Sequence, residues 1–168
     1  MTIAASLLPE FDHEMSVTRS LLRLVPDARA TWKPHPKSMT LAELATHIAL
    51  TPSWVGPTIV VEELDIEPVG GPKYVPPRPG TMQETLALFD TQVMTARAQI
   101  AGCSDARMGQ MWTMKRGGTT VFSMSRTAVL RSFIFNHLVH HRGQLSVYLR
   151  MCDVALPSIY GPTADSQH

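Results

Sequence analysis

Apolar residues recur every three and four positions in four stretches of the chain, and each stretch predicts a helix. Leu8, Phe11, Met15, Leu22 and Val25 form the first stripe, which places a helix from about Leu7 to Val25, with Pro26 ending it. The second opens at TLAE, where Thr40 and Glu43 have capping-box spacing, and continues through Leu44, Ala45, His47 and Ile48. Pro52 lies inside that pattern and is expected to kink or interrupt a helix reaching toward Asp65, because proline cannot supply the N–H the ladder needs. A second capping box, Thr81 and Glu84, opens the third. Its stripe runs through Leu86, Phe89, Val93, Ala96 and Ile100 to a natural stop at Gly102. The fourth is expected from about Ser125 to Met151, with Leu130, Ile134, His137, His141, Gln144 and Tyr148 along one side.

The connections are long. TWKPHPKSM follows the first helix, and the proline- and glycine-rich EPVGGPKYVPPRPG precedes the third. The segment before the last helix carries MWTM and TTVF around KRGG, which reads as a small hairpin. Connections of this length let a helix cross the structure, so simple up-down-up-down order is not forced. The expected fold is all-α: a four-helix bundle with long, crossover-capable connections and a small hairpin before the last helix, one domain over residues 1–168.

Composition narrows the function classes. Of the 168 residues, 44% are hydrophobic and 17% charged, which is the balance of a globular chain with a real core. The formal net charge is +1 with no block of like charge, so neither a nucleic-acid footprint nor an anionic-membrane patch is expected. No run is long enough for a transmembrane helix, and the opening MTIAASLLPEFDHE lacks the basic start and long apolar stretch of a signal peptide. Cys103 and Cys152 have no CxxC spacing and read as two reduced thiols, consistent with a cytoplasmic protein. Ten methionines, Met108, Met111 and Met114 among them, suit either an adaptable contact surface or gap-filling in the core.

The chemistry concentrates in FNHLVHHRGQLSVYLR, where three histidines occupy five positions. At roughly 100° per residue, His137 and His141 lie one turn apart on one helix face, and His140 stands about 60° from His137 at its edge. Two readings of the pair stand: a rigid two-imidazole support for a transition metal, or an amphipathic helix whose histidines make ordinary hydrogen bonds. Neither HEXXH nor HXXEH is present, because Leu138 and His140 occupy the glutamate positions. A third ligand would come from His47, set among Leu44, Ala45, Ile48 and Ala49, where an imidazole leaves water and must still find a partner. His13, His35 and His168 are set aside as solvent-facing, loop and terminal residues. Glu43 suits either the cap of Thr40 or a carboxylate orienting His47, and the cap is favoured. Trp54 can wall a pocket or fill the core, and Gln144 and Tyr148 extend the histidine face toward a substrate. Arg142 and Arg150 point elsewhere, to the surface or a partner helix.

An isolated histidine in ELATHI, then HLVHHRGQLSVYLR, then the tail ALPSIYGPTADS, resembles the DinB/YfiT-like family of damage-inducible-type metalloenzymes. The resemblance spans nearly the whole chain, and HHRGQL with the trailing IYGP is its specific part. It departs at MCDVALP, where the family often has glycine after the last helix and this chain has Asp153. It implies a four-helix bundle of unusual topology, often a homodimer, in which His47, His137 and His141 bind one divalent metal, commonly nickel or zinc. His140 is then a spare beside the site. The resemblance further implies a thiol-dependent transferase or isomerase, or a hydrolase. The metal would activate water or a low-molecular-weight thiol, such as bacillithiol or mycothiol, toward a small-molecule substrate. The rival expectation is a non-catalytic metal- or small-molecule-binding module of a stress response.

Overall fold

The structure is a computed structural model that describes residues 1–72 and 74–166. Helix α1 (Ile3–Leu22) starts four residues earlier than its apolar stripe predicts, because the Thr2 hydroxyl accepts the Ala5 N–H and caps it. Helix α2 (Leu41–Leu50) opens on the expected capping box: Thr40 Oγ1 accepts the Glu43 N–H at 3.2 Å, and Glu43 Oε2 accepts the Thr40 N–H at 2.8 Å. Such a cap contributes about 1 kcal/mol and fixes where the helix begins, and hence where His47 falls on it.

Past Leu50 the chain departs from expectation. Pro52 sits in a single 3₁₀ turn, Thr51–Trp54, which leads into the short helix α3 (Val55–Val60). The stretch toward Asp65 is not helix but strand β1 (Glu63–Asp65). Two arginines hold this junction. The Arg107 guanidinium donates to the Ile59 and Val60 carbonyls at the end of α3, and the fully buried Arg126 donates to the Val61 carbonyl and to Glu62. Carbonyls that a longer helix would have satisfied internally are met by cations instead, favourably placed at a helix C-terminus.

Helix α4 (Met82–Gly102) opens on the second capping box, and α5 (Asp105–Gly109) is a short connector. The hairpin forms as expected from β2 (Met111–Arg116) and β3 (Thr119–Ser125). Gly117 and Gly118 both have positive φ, 58° and 78°, the conformation a two-residue hairpin turn demands. β1 then joins β2 in parallel, giving a three-stranded sheet in the order β1-β2-β3. The Asp65 carboxylate accepts the Gly117 and Gly118 N–H groups at 3.0 and 2.7 Å and so ties β1 to the hairpin tip. The fold is therefore mostly helical with a small sheet, not all-α: the chain leaves the helix after Val60, and Glu63–Asp65 pairs with the edge that β2 offers.

The last helical stretch comprises α6 (Arg126–Ala128), a π-helical segment Val129–Phe135, and α7 (Asn136–Met151). α1 packs against α4 and α7, and α2 packs against the same two, so the four long helices enclose one core with α2 and α1 on opposite flanks. Phe11, Leu44, Ile48, Phe89, Ile134 and Leu138 are among its fully buried side chains. A second, smaller cluster of Trp112, Met114 and Val129 lies under the sheet and is bordered by Trp54, Phe122 and Phe133. Met108 and Met114 are core residues and Met111 is exposed, so two of these three methionines fill gaps. None of the described helices is long and apolar enough to cross a membrane.

Candidate metal centre

His47 stands in the last turn of α2, and His137 and His141 in the first two turns of α7. The packing of α2 on α7 brings the three together. Their ligand nitrogens all lie within 4.8 Å of one another, and His47 Nε2 is 2.8 Å from His137 Nε2, one ring donating and the other accepting. The His141 ring stands edge-on to His47 at 4.4 Å between centroids and 4.5 Å from His137.

The surroundings of the rings disfavour their charged form. Burial pushes all three imidazoles below their ordinary range, and neighbouring histidines add to it. His137 is lowered to about 4, first by burial and then by the fields of His141, His47 and His140. A neutral imidazole is the form that ligates a metal. Three imidazole nitrogens within 4.8 Å of one another are near enough to share one ion. The donor set fits a borderline-soft divalent transition metal and supplies three of its positions.

Around the imidazoles the expected residues sort by what they touch. Gln144 is engaged by the histidines themselves: its Oε1 accepts His141 Nδ1–H at 2.7 Å, which leaves Nε2 free to face the other two rings, and its amide reaches His140 Nε2 at 3.2 Å. His140 is exposed beside the cluster, outside the three-nitrogen set. Glu43 closes the cap of α2 and does not orient His47. Trp54 does wall a cavity of about 70 Å³, together with His47, Thr51, Phe133 and His137. Tyr148 lies too far along α7 to take part and packs edge-on against Trp32, 5.5 Å between ring centroids. Of the residues set aside, His13 and His35 are exposed, and His168 lies outside the described residues. Arg142 proves to be a partner-helix contact, buried against Glu14 of α1, while Arg150 pairs with Asp165 at the surface.

Two elements of the site escape the sequence pattern. Phe133 stacks toward His137 at 5.7 Å and is backed by Trp54 at 5.7 Å and Phe122 at 5.4 Å, so the hairpin braces the wall of the site. Its position four residues before His137 is the signal that identifies it. On the other side, His47 lines a groove of about 570 Å³ between α2 and the segment Pro76–Pro79, with Lys37 and Arg78 on its walls. The proline-flanked arginine of PPRPG is the only sequence mark of that wall.

A profile of the DinB superfamily matches residues 10–145. Among solved structures, a DinB-like protein from Bacillus cereus superposes with a TM-score of 0.70 at 22% identity, covering 95% of this chain and 98% of that one. A DinB-like protein from Bacillus subtilis superposes with a TM-score of 0.69 at 17% identity, covering 94% of this chain and 99% of that one. Among curated protein sequences nothing matches.

Proposed function

The chain belongs to the DinB superfamily, and from that premise we propose that it is a divalent-metal-dependent enzyme of transferase, isomerase or hydrolase type. The observation that carries the reading is the convergence of three imidazoles, of which His47 lines both an aromatic-walled cavity and a groove. Nickel or zinc held by His47, His137 and His141 would supply Lewis-acid chemistry, lowering the pKa of a bound low-molecular-weight thiol or water. The chain's own residues do the rest. Gln144 fixes the His141 tautomer, Trp54 and Phe133 wall a small cavity on one side, and the groove admits the substrate from the other. Among the described residues no carboxylate joins the three nitrogens, so a divalent ion held there would keep its positive charge for an anionic ligand.

The test is metal content per chain by plasma mass spectrometry on wild type and His137→Ala, followed by a thiol-transfer and ester-hydrolysis panel. The expected result is close to one transition metal per chain, lost in the variant, with turnover that disappears in His47→Ala. Failure to retain or take up Ni(II) or Zn(II) would overturn the proposal. Stoichiometric metal with no turnover, and a Co(II) spectrum that ignores added imidazole or thiol, would instead identify a closed, non-catalytic site.

A further inference from the structure

Helix α2 presents two distinct faces. Leu41, Leu44, Ala45, Ile48 and Ala49 enter the core, while Ala42, Glu43, Thr46, His47 and Leu50 form a second stripe at helical spacing that floors the groove. The opposite wall is Pro76–Pro79, whose three prolines fix the backbone on both sides of Arg78. A cation presented on so constrained a segment loses little backbone freedom when it binds.

Among the described residues the charged members of the lining are Lys37, Arg78 and Glu43, with cations in excess. Glu43 is engaged at its own helix: the Thr40 backbone and side chain hold its carboxyl below the ordinary range, and the fields of Lys33 and Arg78 add to this. Arg78 is thus close enough to act on this face of α2, and its guanidinium is exposed for a further partner. Met39, Ala42, Leu50 and the prolines make the remaining surface largely apolar.

We infer that the substrate is a carboxylate-bearing small molecule with an apolar body, lying along α2 with its carboxylate on Arg78 and Lys37 and its reacting end at His47. The placement of the reacting end rests on the enzymatic reading above; the placement of the carboxylate does not. The excess of cations over the one carboxylate suits an anionic group, and a guanidinium fork matches the two oxygens of a carboxylate.

The test is calorimetric titration of the zinc-loaded and the chelator-treated protein with 2-naphthoate and with its neutral analogue 2-naphthamide, at low ionic strength. Naphthoate is expected to bind about tenfold more tightly than the amide. Exposed ion pairs of this kind account for roughly two- to fivefold each, so Arg78→Ala and Lys37→Ala should each remove part of the preference and the double variant nearly all of it. Glu43→Gln, which keeps the capping geometry, should strengthen naphthoate binding, and salt should weaken it.

Equal affinity for the two probes, no binding of either at millimolar concentration, or a preference unchanged in the double variant would overturn the inference. So would a preference that vanishes with the metal but survives in the double variant, because the carboxylate would then sit on the ion. Metal content of the same samples separates the two readings. Charge preference in the chelated protein upholds the groove whatever the metal does, and a zinc-binding protein without that preference loses only the groove.

Discussion

The hydrogen bond from His141 to Gln144 is the part of the site whose removal says most about how the site works. Gln144 is exposed, yet its Oε1 holds His141 Nδ1–H at 2.7 Å and so selects Nε2 as the nitrogen facing His47 and His137. In Gln144→Ala the ring is free to change tautomer and to rotate. Outer partners of metal-bound histidine contribute about 10- to 100-fold in affinity, or roughly 1.4–2.7 kcal/mol. The exposure of this bond to water argues for the lower end, about tenfold. Competition of the protein with a chromogenic chelator for Zn(II) reads the constant directly. Alanine is the better helix former, so fold stability should hold or rise slightly, which separates a site effect from unfolding. Gln144→Glu keeps an acceptor for Nδ1–H and should recover or exceed wild-type affinity. An affinity for Gln144→Ala within twofold of wild type would refute this account of the site.

Two further outcomes are expected. Arg142 and Glu14 form an ion pair at 2.6 Å between α7 and α1, almost fully buried, with the Tyr160 hydroxyl donating to the Glu14 carboxylate at 2.8 Å. Removing one charge strands the other, so Arg142→Met should cost about 3–5 kcal/mol in urea unfolding; Glu14→Gln/Arg142→Met should cost clearly less than the sum of the singles, and simple additivity would show that the pair is not coupled. In chelator, the metal-free protein should melt at a roughly constant temperature above pH 7 and at falling temperature from about pH 6.5 toward 4. His137 is lowered to about 4 and the unfolded chain binds protons first, so stability rises with pH across that window. His137→Gln should make the profile shallower between pH 5 and 7, and an equally steep profile in that variant would remove His137 as a cause.

Much of the site was legible because its signals are local. A capping box fixes the start of α2, and the periodicity that follows puts His47 beside an apolar face. An i, i+4 pair fixes two imidazoles on α7. What was not legible is what the chain closes over long distances. Glu63–Asp65 has no strand signature of its own; it is a strand because Met111–Arg116 offers an edge, Asp65 can reach the glycine turn, and Arg107 and Arg126 collect the carbonyls before it. The groove wall at Pro76–Pro79 is likewise invisible to periodicity, since prolines in a linker say only that the segment is extended and stiff, not which helix it lies against.

The histidine face shows most clearly where straight helical reasoning goes astray. A regular helix through Leu130, Ile134, His137 and His141 would put all four on one side, and on that reading the histidines share the face of the core residues. The buried stripe in fact runs Leu130, Ile134, Leu138 and Arg142, in steps of four. In an α-helix each such step overshoots a turn by about 40°, and three of them would carry the stripe about 120° away from the core. The π-helical segment Val129–Phe135 has wider turns, which hold the four-residue steps in line over the first part of the stripe. The same register aligns Phe133, His137 and His141 as a second, parallel stripe, with successive rings 5.7 and 4.5 Å apart. The segment thus separates two jobs that the sequence superimposes: one row of side chains seals the core, and the adjacent row carries the imidazoles to the rim where α2 meets them. A change that restores an ordinary α-helical register here, such as deletion of one residue within Val129–Phe135, sets the two rows at odds. Either the core stripe or the histidine row must then leave its place, which makes the three-imidazole cluster dependent on a helix irregularity that no histidine motif reveals.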